Sequence, residues 1–450
     1  MRIASTSTIF SALAALAAVP FHTASAEPMD FDIGGYFIQS IQLVDAANRD
    51  GNNIEDEVFA QDAEIHFKGK TTLPNGSELG FRMELEAASE EDQIDEHYLY
   101  LKGDWGKFIF GAENGVGHLM QVRAPRFVPG LKMFDNSVTD DVFEKAYDLL
   151  LDDLNGDDNV SIIDDAHMST KLEHISGDAN KLIFMTPRVG GLQLGVSYAP
   201  NNKNIGGGQN NAGHTRGGAP TDGQATQEDI IELGVSFKGM TRGLGYKFSY
   251  TTVEGDTVTS VDVKPTSTST GLALQYGNWV LGGNMSEYEH LHEVNPTDYD
   301  QSEKIETVNY ALKYKMGDSY FGIGMTESDE VRYEPRLASY ISDFGDDDEE
   351  GGSGGDADTR TTPDGLGHRP KTSYEEMMIG GGTKLTEGVS IGYYYTKTEA
   401  SHETVTSVPT VTQADTDSDP QVIGSVSGRY DTETKDDEVS AFGITLNLRF

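Results

Sequence analysis

From Phe442 to Phe450 the even positions Phe442, Ile444, Leu446, Leu448 and Phe450 are apolar, whereas Gly443, Thr445, Asn447 and Arg449 are small or polar. Successive side chains of a strand point to opposite faces, so a period of two predicts a strand with one greasy and one polar face. The same period returns at Leu79, Phe81, Met83 and Leu85 against Glu78, Arg82, Glu84 and Glu86, and at Ile231, Leu233, Val235 and Phe237 against Glu232, Ser236 and Lys238. It recurs at Leu244, Tyr246, Phe248 and Tyr250, at Val308, Tyr310, Leu312 and Tyr314, and at Val389, Ile391, Tyr393 and Tyr395.

The connections between these strands are sorted by length. Short ones fall at Leu73-Pro74-Asn75-Gly76, Gly103-Asp104-Trp105-Gly106, Val189-Gly190-Gly191, Gly239 to Gly243, Gly277-Asn278, Met316-Gly317-Asp318 and Thr386-Glu387-Gly388. Each carries the Gly, Asn or Asp that a tight hairpin turn requires. Long ones centre on residues 46–56, 87–93, 114–179, 200–227, 254–267, 289–303, 329–372 and 400–435 and hold most of the acidic and Gly-rich sequence. Seven short turns and eight long loops make sixteen strands. An even number of antiparallel strands with both ends on the short-turn side predicts a transmembrane β-barrel with short periplasmic turns and long extracellular loops. A soluble sandwich has no reason to sort its connections this way. Closure pairs every backbone N–H and C=O, and a ring this large leaves a water-filled lumen, since about eight strands are already filled by side chains.

Composition narrows the alternatives. The chain of 450 residues carries 33 Lys and Arg against 74 Asp and Glu, a formal charge of −41, which argues against nucleic acid as a partner. No apolar run is long enough for a membrane helix, a criterion that barrel strands escape. With no Cys, disulfides, thiol catalysis and Cys-ligated metal are excluded. Residues 1–26, with Arg2, an apolar run from Ile9 to Val19 and Ala24-Ser25-Ala26, read as a secretory signal peptide, leaving residues 27–450 as the barrel.

Between Ala63 and Asn114 the chain reads Phe67-Lys68-Gly69, Leu73-Pro74-Asn75-Gly76, Glu96-His97-Tyr98-Leu99-Tyr100-Leu101-Lys102-Gly103 and Trp105-Gly106-Lys107-Phe108-Ile109-Phe110-Gly111. This stretch resembles the second to fifth strands of Gram-negative general porins, and the terminal Phe450 resembles the signal read by the barrel-assembly machinery. The resemblance implies a homotrimer of sixteen-stranded pores in outer-membrane lipid, passing small hydrophilic solutes and ions by diffusion. It also implies that the third long loop, here residues 114–179, folds inward and forms the constriction. Such constrictions oppose loop acids to wall bases, and field focusing in a low-dielectric ring lets a few charges set selectivity. The matching acids are Asp135, Asp140, Asp141 and Glu144, and the wall bases are Arg82 and Lys68 on the polar faces of their strands. Where members commonly place Arg after the Gly ending the fifth strand, this chain has Ala112-Glu113. The acidic excess points to cation preference.

Inside that loop, Asp153, Asn155, Asp157, Asn159, Ser161 and Asp164 occupy positions 1, 3, 5, 7, 9 and 12 of a twelve-residue run. It resembles an EF-hand or dockerin loop, which wraps Ca2+ with alternate side-chain oxygens and the position-7 carbonyl. Position 6 is Asp158 in place of Gly, and position 12 is Asp in place of the longer Glu. Structural Ca2+ is the one cofactor the sequence suggests. His66, His97, His118, His167 and His174 show no metal-ligand spacing along the chain, and Asp346 to Glu350 followed by Gly351 to Gly355 reads as an external loop. No nucleophile elbow or phosphate-binding glycine loop is present, so no enzyme is expected. Two other classes remain: an outer-membrane barrel enzyme of protease or lipase type, which would use fewer strands, and a secreted acidic β-rich binding protein or adhesin, which would need no detergent.

Overall fold

The structure, a computed structural model, describes residues 28–46, 57–87, 94–131, 169–172, 175–202, 227–257, 265–292, 301–333, 337–339, 361–363, 371–411 and 426–450. Sixteen strands form one closed antiparallel barrel. They are β1 (Asp30–Ala46), β2 (Glu57–Thr72), β3 (Glu78–Glu86), β4 (His97–Gly103), β5 (Gly106–Ala112), β6 (Asn180–Met185), β7 (Leu192–Asn201) and β8 (Gln227–Thr241), then β9 (Leu244–Thr257), β10 (Thr266–Tyr276), β11 (Trp279–His292), β12 (Gln301–Met316), β13 (Ser319–Tyr333), β16 (Lys371–Thr386), β17 (Val389–Val411) and β18 (Val426–Arg449). Each barrel strand pairs with its neighbours in the chain, and β1 closes the ring on β18 in a register running from Tyr36↔Arg449 to Ala46↔Val439. The terminal residue completes the seam: the Phe450 N–H donates to the Gly35 carbonyl at 3.2 Å, and the Gly35 N–H donates to the Phe450 carbonyl at 3.0 Å.

All seven expected tight turns join the strands they were expected to join. At the two-residue turns, Gly277 (φ 57°) and Gly317 (φ 60°) adopt the left-handed backbone that matches strand twist in a hairpin and that a Cβ would oppose. The long connections also fall where expected, with two differences. β17 and β18 extend their pairing out to Val411↔Val426, well into the expected 400–435 connection, because the Thr- and Val-rich run at Thr404-Val405-Thr406 suits a strand. The 329–372 connection holds a small hairpin of β14 (Leu337–Ser339) and β15 (Thr361–Pro363), too short for a period of two to register. The expected signal peptide, residues 1–26, lies outside the described residues.

The barrel is apolar outside and polar inside. On β18, Ile444 is 46% exposed and Leu446 49%, whereas Thr445 between them is 0% exposed. Such a surface suits hydrocarbon and would be insoluble in water. Among the described residues no helix is long and apolar enough to cross a membrane; the strands do so. Aromatic pairs gather at the short-turn rim, with Trp279 and Tyr314 at 4.5 Å between ring centroids and Trp105 stacked on Phe184 at 6.3 Å, as an interfacial girdle requires. Towards the long loops the outward face turns charged. There Glu327, Glu375, Glu399 and Glu438 lie in register across four adjacent strands, and Lys304 bridges Glu287 (3.1 Å) and Glu306 (2.9 Å).

Candidate functional site

After Ala112 the chain turns into the lumen instead of outward. A helical turn at Val116–Leu119 starts the inward segment, and the wall supplies partners for its backbone. The Val116 N–H donates to Ser197 Oγ (3.0 Å), the Gly117 N–H to Glu232 Oε2 (2.7 Å) and the Val122 N–H to Ser249 Oγ (2.7 Å). Further on, Lys313 Nζ donates to the Arg126 carbonyl and Thr445 Oγ1 to the Pro129 carbonyl, both at 2.7 Å. These partners sit on β7, β8, β9, β12 and β18, so Glu113 to Leu131 runs as a belt along the inner wall. Backbone inside a pore must find partners like any buried backbone, and the lumen-facing Ser, Thr and Glu provide them.

Close approach needs gaps in the wall. A Cβ at Gly271 would strike the Val122 carbonyl, and one at Gly322 would strike the Phe127 ring. Around these gaps the lumen-facing residues turn apolar: Phe127, Val128 and Leu131 pack with Ala311, Met378 and Tyr394, and Val116 and Met120 pack with Ile109, Ile183 and Tyr98. The returning segment stacks on the outgoing one. Gln121 Nε2 donates to the Thr170 carbonyl (2.8 Å), Thr170 Oγ1 donates to Asn284 Oδ1 (2.9 Å), and Leu172 and Ile175 pack against Ile230 and Val253.

One carboxylate ties both passes together. Glu232, 1% exposed, accepts from the Gly117 N–H and, at 2.5 Å through its other oxygen, from Ser176 Oγ. Lys181, equally buried, donates to the carbonyls of Glu113 (2.7 Å) and Gly177, and the carboxylates of Glu232, Asp178 and Glu113 act on it electrostatically. A buried amine needs hydrogen-bond partners, and these two carbonyls supply them.

The belt starts at β5 and ends at β1 and β2, where Gly130 lies against Ile38 and the Phe127 cluster touches Ala60. Between its two ends stands a charged face on β2, β3 and β4. Register pairs Glu64 with Glu86, His66 with Glu84 and Lys68 with Arg82, so the two expected wall bases are cross-strand neighbours. Arg82 forms an ion pair with Glu84. Tyr36 donates to Glu64 Oε1 (2.6 Å) and Asp62 Oδ1 (3.0 Å), and Lys107 lies over the Tyr100 ring, 5.0 Å from its centroid. Just beyond the strands, burial and then the adjacent Glu113 carboxylate push Glu96 up to about 8, and burial also raises Glu113. The Asn114 side chain donates to Glu96 Oε1 at 3.2 Å and its N–H to Glu113 Oε1 at 3.0 Å.

Arg82 and Lys68 therefore come together on the lumen face. The expected loop acids Asp135, Asp140, Asp141 and Glu144, and the calcium-like positions Asp153, Asn155, Asp157, Asn159, Ser161 and Asp164, lie outside the described residues. Sequence reading missed Glu232, Lys181, Glu64 and Glu113. The alternation had already put Glu232 and Glu84 on polar faces, but nothing local marked Glu232 as the anchor of a segment so distant in sequence.

Among solved structures the chain is similar to OmpT, an outer membrane protein of Vibrio cholerae, folded in vitro in its trimer form, at 12% identity and TM-score 0.49, covering 94% of this chain and 100% of that one. It is also similar to an anion-selective porin from Comamonas acidovorans, at 11% identity and TM-score 0.46, covering 94% and 100%. A third is the outer membrane channel DcaP of Acinetobacter baumannii, at 8% identity and TM-score 0.48, covering 96% and 100%. Among curated proteins none matches. The profile of the Gram-negative porin family matches residues 5–361. Sixteen closed strands, an apolar exterior and an inward third loop accord with that match: the chain belongs to the Gram-negative porin family and forms a water-filled channel in the outer membrane.

Proposed function

We propose that this porin is a passive, cation-preferring pore for small hydrophilic solutes and ions, that it catalyses no reaction, and that it works as a homotrimer in outer-membrane lipid. The observation that carries cation preference is the charged face left between the ends of the belt, where Asp62, Glu64 and Glu84 share the lumen side of β2 and β3 with Arg82 and Lys68. A unit charge about 4 Å from a passing ion is worth about 1 kcal/mol even in water, enough to alter the cation-to-anion ratio severalfold. In this reading Arg82 and Lys68 form the wall side of the constriction, facing Asp135, Asp140, Asp141 and Glu144, and Phe450 is read by the barrel-assembly machinery during insertion.

Reversal potentials in planar bilayers under a KCl gradient test this. Wild type is expected to favour K+, and Arg82→Ala to favour it further, because the variant removes a positive charge from the lumen. An anion-selective wild type would overturn the reading, and an unchanged potential in the variant would take Arg82 out of the constriction.

Structural Ca2+ in the loop belongs to the same proposal. Mutual repulsion among Asp153, Asp157 and Asp164 favours a dication, with affinity on the order of 10⁻⁴–10⁻³ M because the last ligand is short. Calorimetry should give binding heat for wild type and none for Asp153→Ala/Asp157→Ala; equal heats would reject the site.

A further inference from the structure

The charged face holds a constellation that linear spacing does not reveal. His66 and Glu64 are two apart on β2 and so share the lumen face; Glu84 sits directly across from His66 on β3. His66 Nε2 is 2.7 Å from Glu64 Oε2 and 3.5 Å from Glu84 Oε2, and one donor atom of each residue lies within 4.8 Å of the other two. Donors around a tetrahedral ion at ~2.0–2.1 Å stand about 3.3 Å apart, so the separations bracket what such an ion needs. We propose that Glu64, His66 and Glu84 form a site for one divalent transition-metal ion on the pore wall, taking metal ions from the stream of solutes and altering the current when filled. This rests on the reading of the lumen as a conducting pore.

Three features favour this constellation over a solvated patch of charge. Glu64 is held from behind, because Tyr36 donates to its Oε1 and leaves Oε2 directed at His66. The Tyr36 ring meets the His66 ring edge-on at 6.0 Å between centroids, which fixes the imidazole plane. Orientation of ligands by neighbours of this kind sustains metal affinity. The third feature is chemistry. Two neighbouring groups of comparable compactness, Glu64–Glu86–Asp95 and Glu84–Asp95–Glu96, offer only oxygen. Imidazole nitrogen suits zinc, copper or nickel over magnesium or calcium, so the group containing His66 is selective where the others are not.

Filling the site has an electrical consequence. A dication shared by two carboxylates cancels the negative charge that draws K+ into the lumen, and it competes with Arg82 for Glu84, releasing the guanidinium towards the pore. The predicted sign is a fall in K+ conductance and a reversal potential displaced towards anions.

The test is planar-bilayer recording in KCl with Zn2+ added, Mg2+ at equal concentration as control, and a chelator to reverse. Wild type should respond to Zn2+ far below the Mg2+ concentration that gives the same effect. His66→Ala should need at least about tenfold more Zn2+ while retaining wild-type heat-modifiability and a wild-type current without metal; Glu64→Gln should lose Zn2+ sensitivity likewise and stay heat-modifiable, its metal-free K+ preference falling as the charge is removed. Equal Zn2+ sensitivity in wild type and both variants, or Mg2+ acting as well as Zn2+, would overturn the proposal. Calorimetry of Zn2+ binding to the detergent-solubilised barrel separates the two readings: a channel that fails to conduct but binds Zn2+ through His66 defeats the pore reading alone, whereas conduction without a His66-dependent heat defeats the metal site alone.

Discussion

Glu232→Ala should release the inward loop and raise single-channel conductance while leaving the barrel assembled. The substitution deletes one acceptor oxygen from the Gly117 N–H and another from Ser176 Oγ, both buried. Each donor left unsatisfied costs about 1–3 kcal/mol. It also removes a carboxylate whose charge acts on the buried Lys181. None of this burden falls on the barrel ladder, because Glu232 keeps its backbone pairing to Ser197 and Val253 whatever its side chain. The barrel therefore survives and the belt loosens. Single-channel recording in KCl checks the outcome, with heat-modifiability as the control for folding; Glu232→Gln, which keeps one acceptor, should fall between. A Glu232→Ala channel with wild-type conductance and noise would show that the residue does not anchor the loop.

The second large effect is expected where the belt crosses β13. Phe127 is fully buried against the gap at Gly322, in a cluster with Ala311, Met378 and Tyr394. Phe127→Ala should weaken local attachment by about 3–5 kcal/mol through lost burial and the cavity left behind. Gly322→Leu attacks the same contact from the wall side by filling the space the ring occupies. Both variants should expose the belt to trypsin at Arg123, which in wild type is half-buried inside the barrel. Rapid cleavage in one variant and full protection in the other would mean that the ring and the gap do not act as one contact.

How legible this was differs between barrel and belt. Strands and turns are written locally: Ile444-Thr445-Leu446 states its two faces within three residues, and Gly277-Asn278 states its turn within two. The path of the loop is not local. It depends on Gly322 meeting Phe127 and on Thr445 meeting Pro129, pairs that only the closed ring brings together. A glycine on a lumen face of a strand is ambiguous by itself, because bulges and close backbone approaches leave the same mark. The same limit hid His66. Its ligand spacing exists across strands, and a register shift of one residue would have turned Glu84 to the lipid side. The resemblance supplied the expectation of an inward loop; Glu232 and the wall gaps give its physical reason.

The seam between β1 and β18 bears on how the molecule comes into being. Residues near the two ends of the chain must meet, so the contact with the longest sequence separation is also the one that removes the last open edges. Until then both edge strands present unpaired N–H and C=O groups, the usual template for association with other chains. Such distant pairings form slowly, since the closure entropy of the intervening chain is lost before the contact returns anything. Because the first barrel strand waits for the last, the ring cannot be sealed before β18 has been made, and a chain lacking that strand exports two sticky edges with no means of covering them.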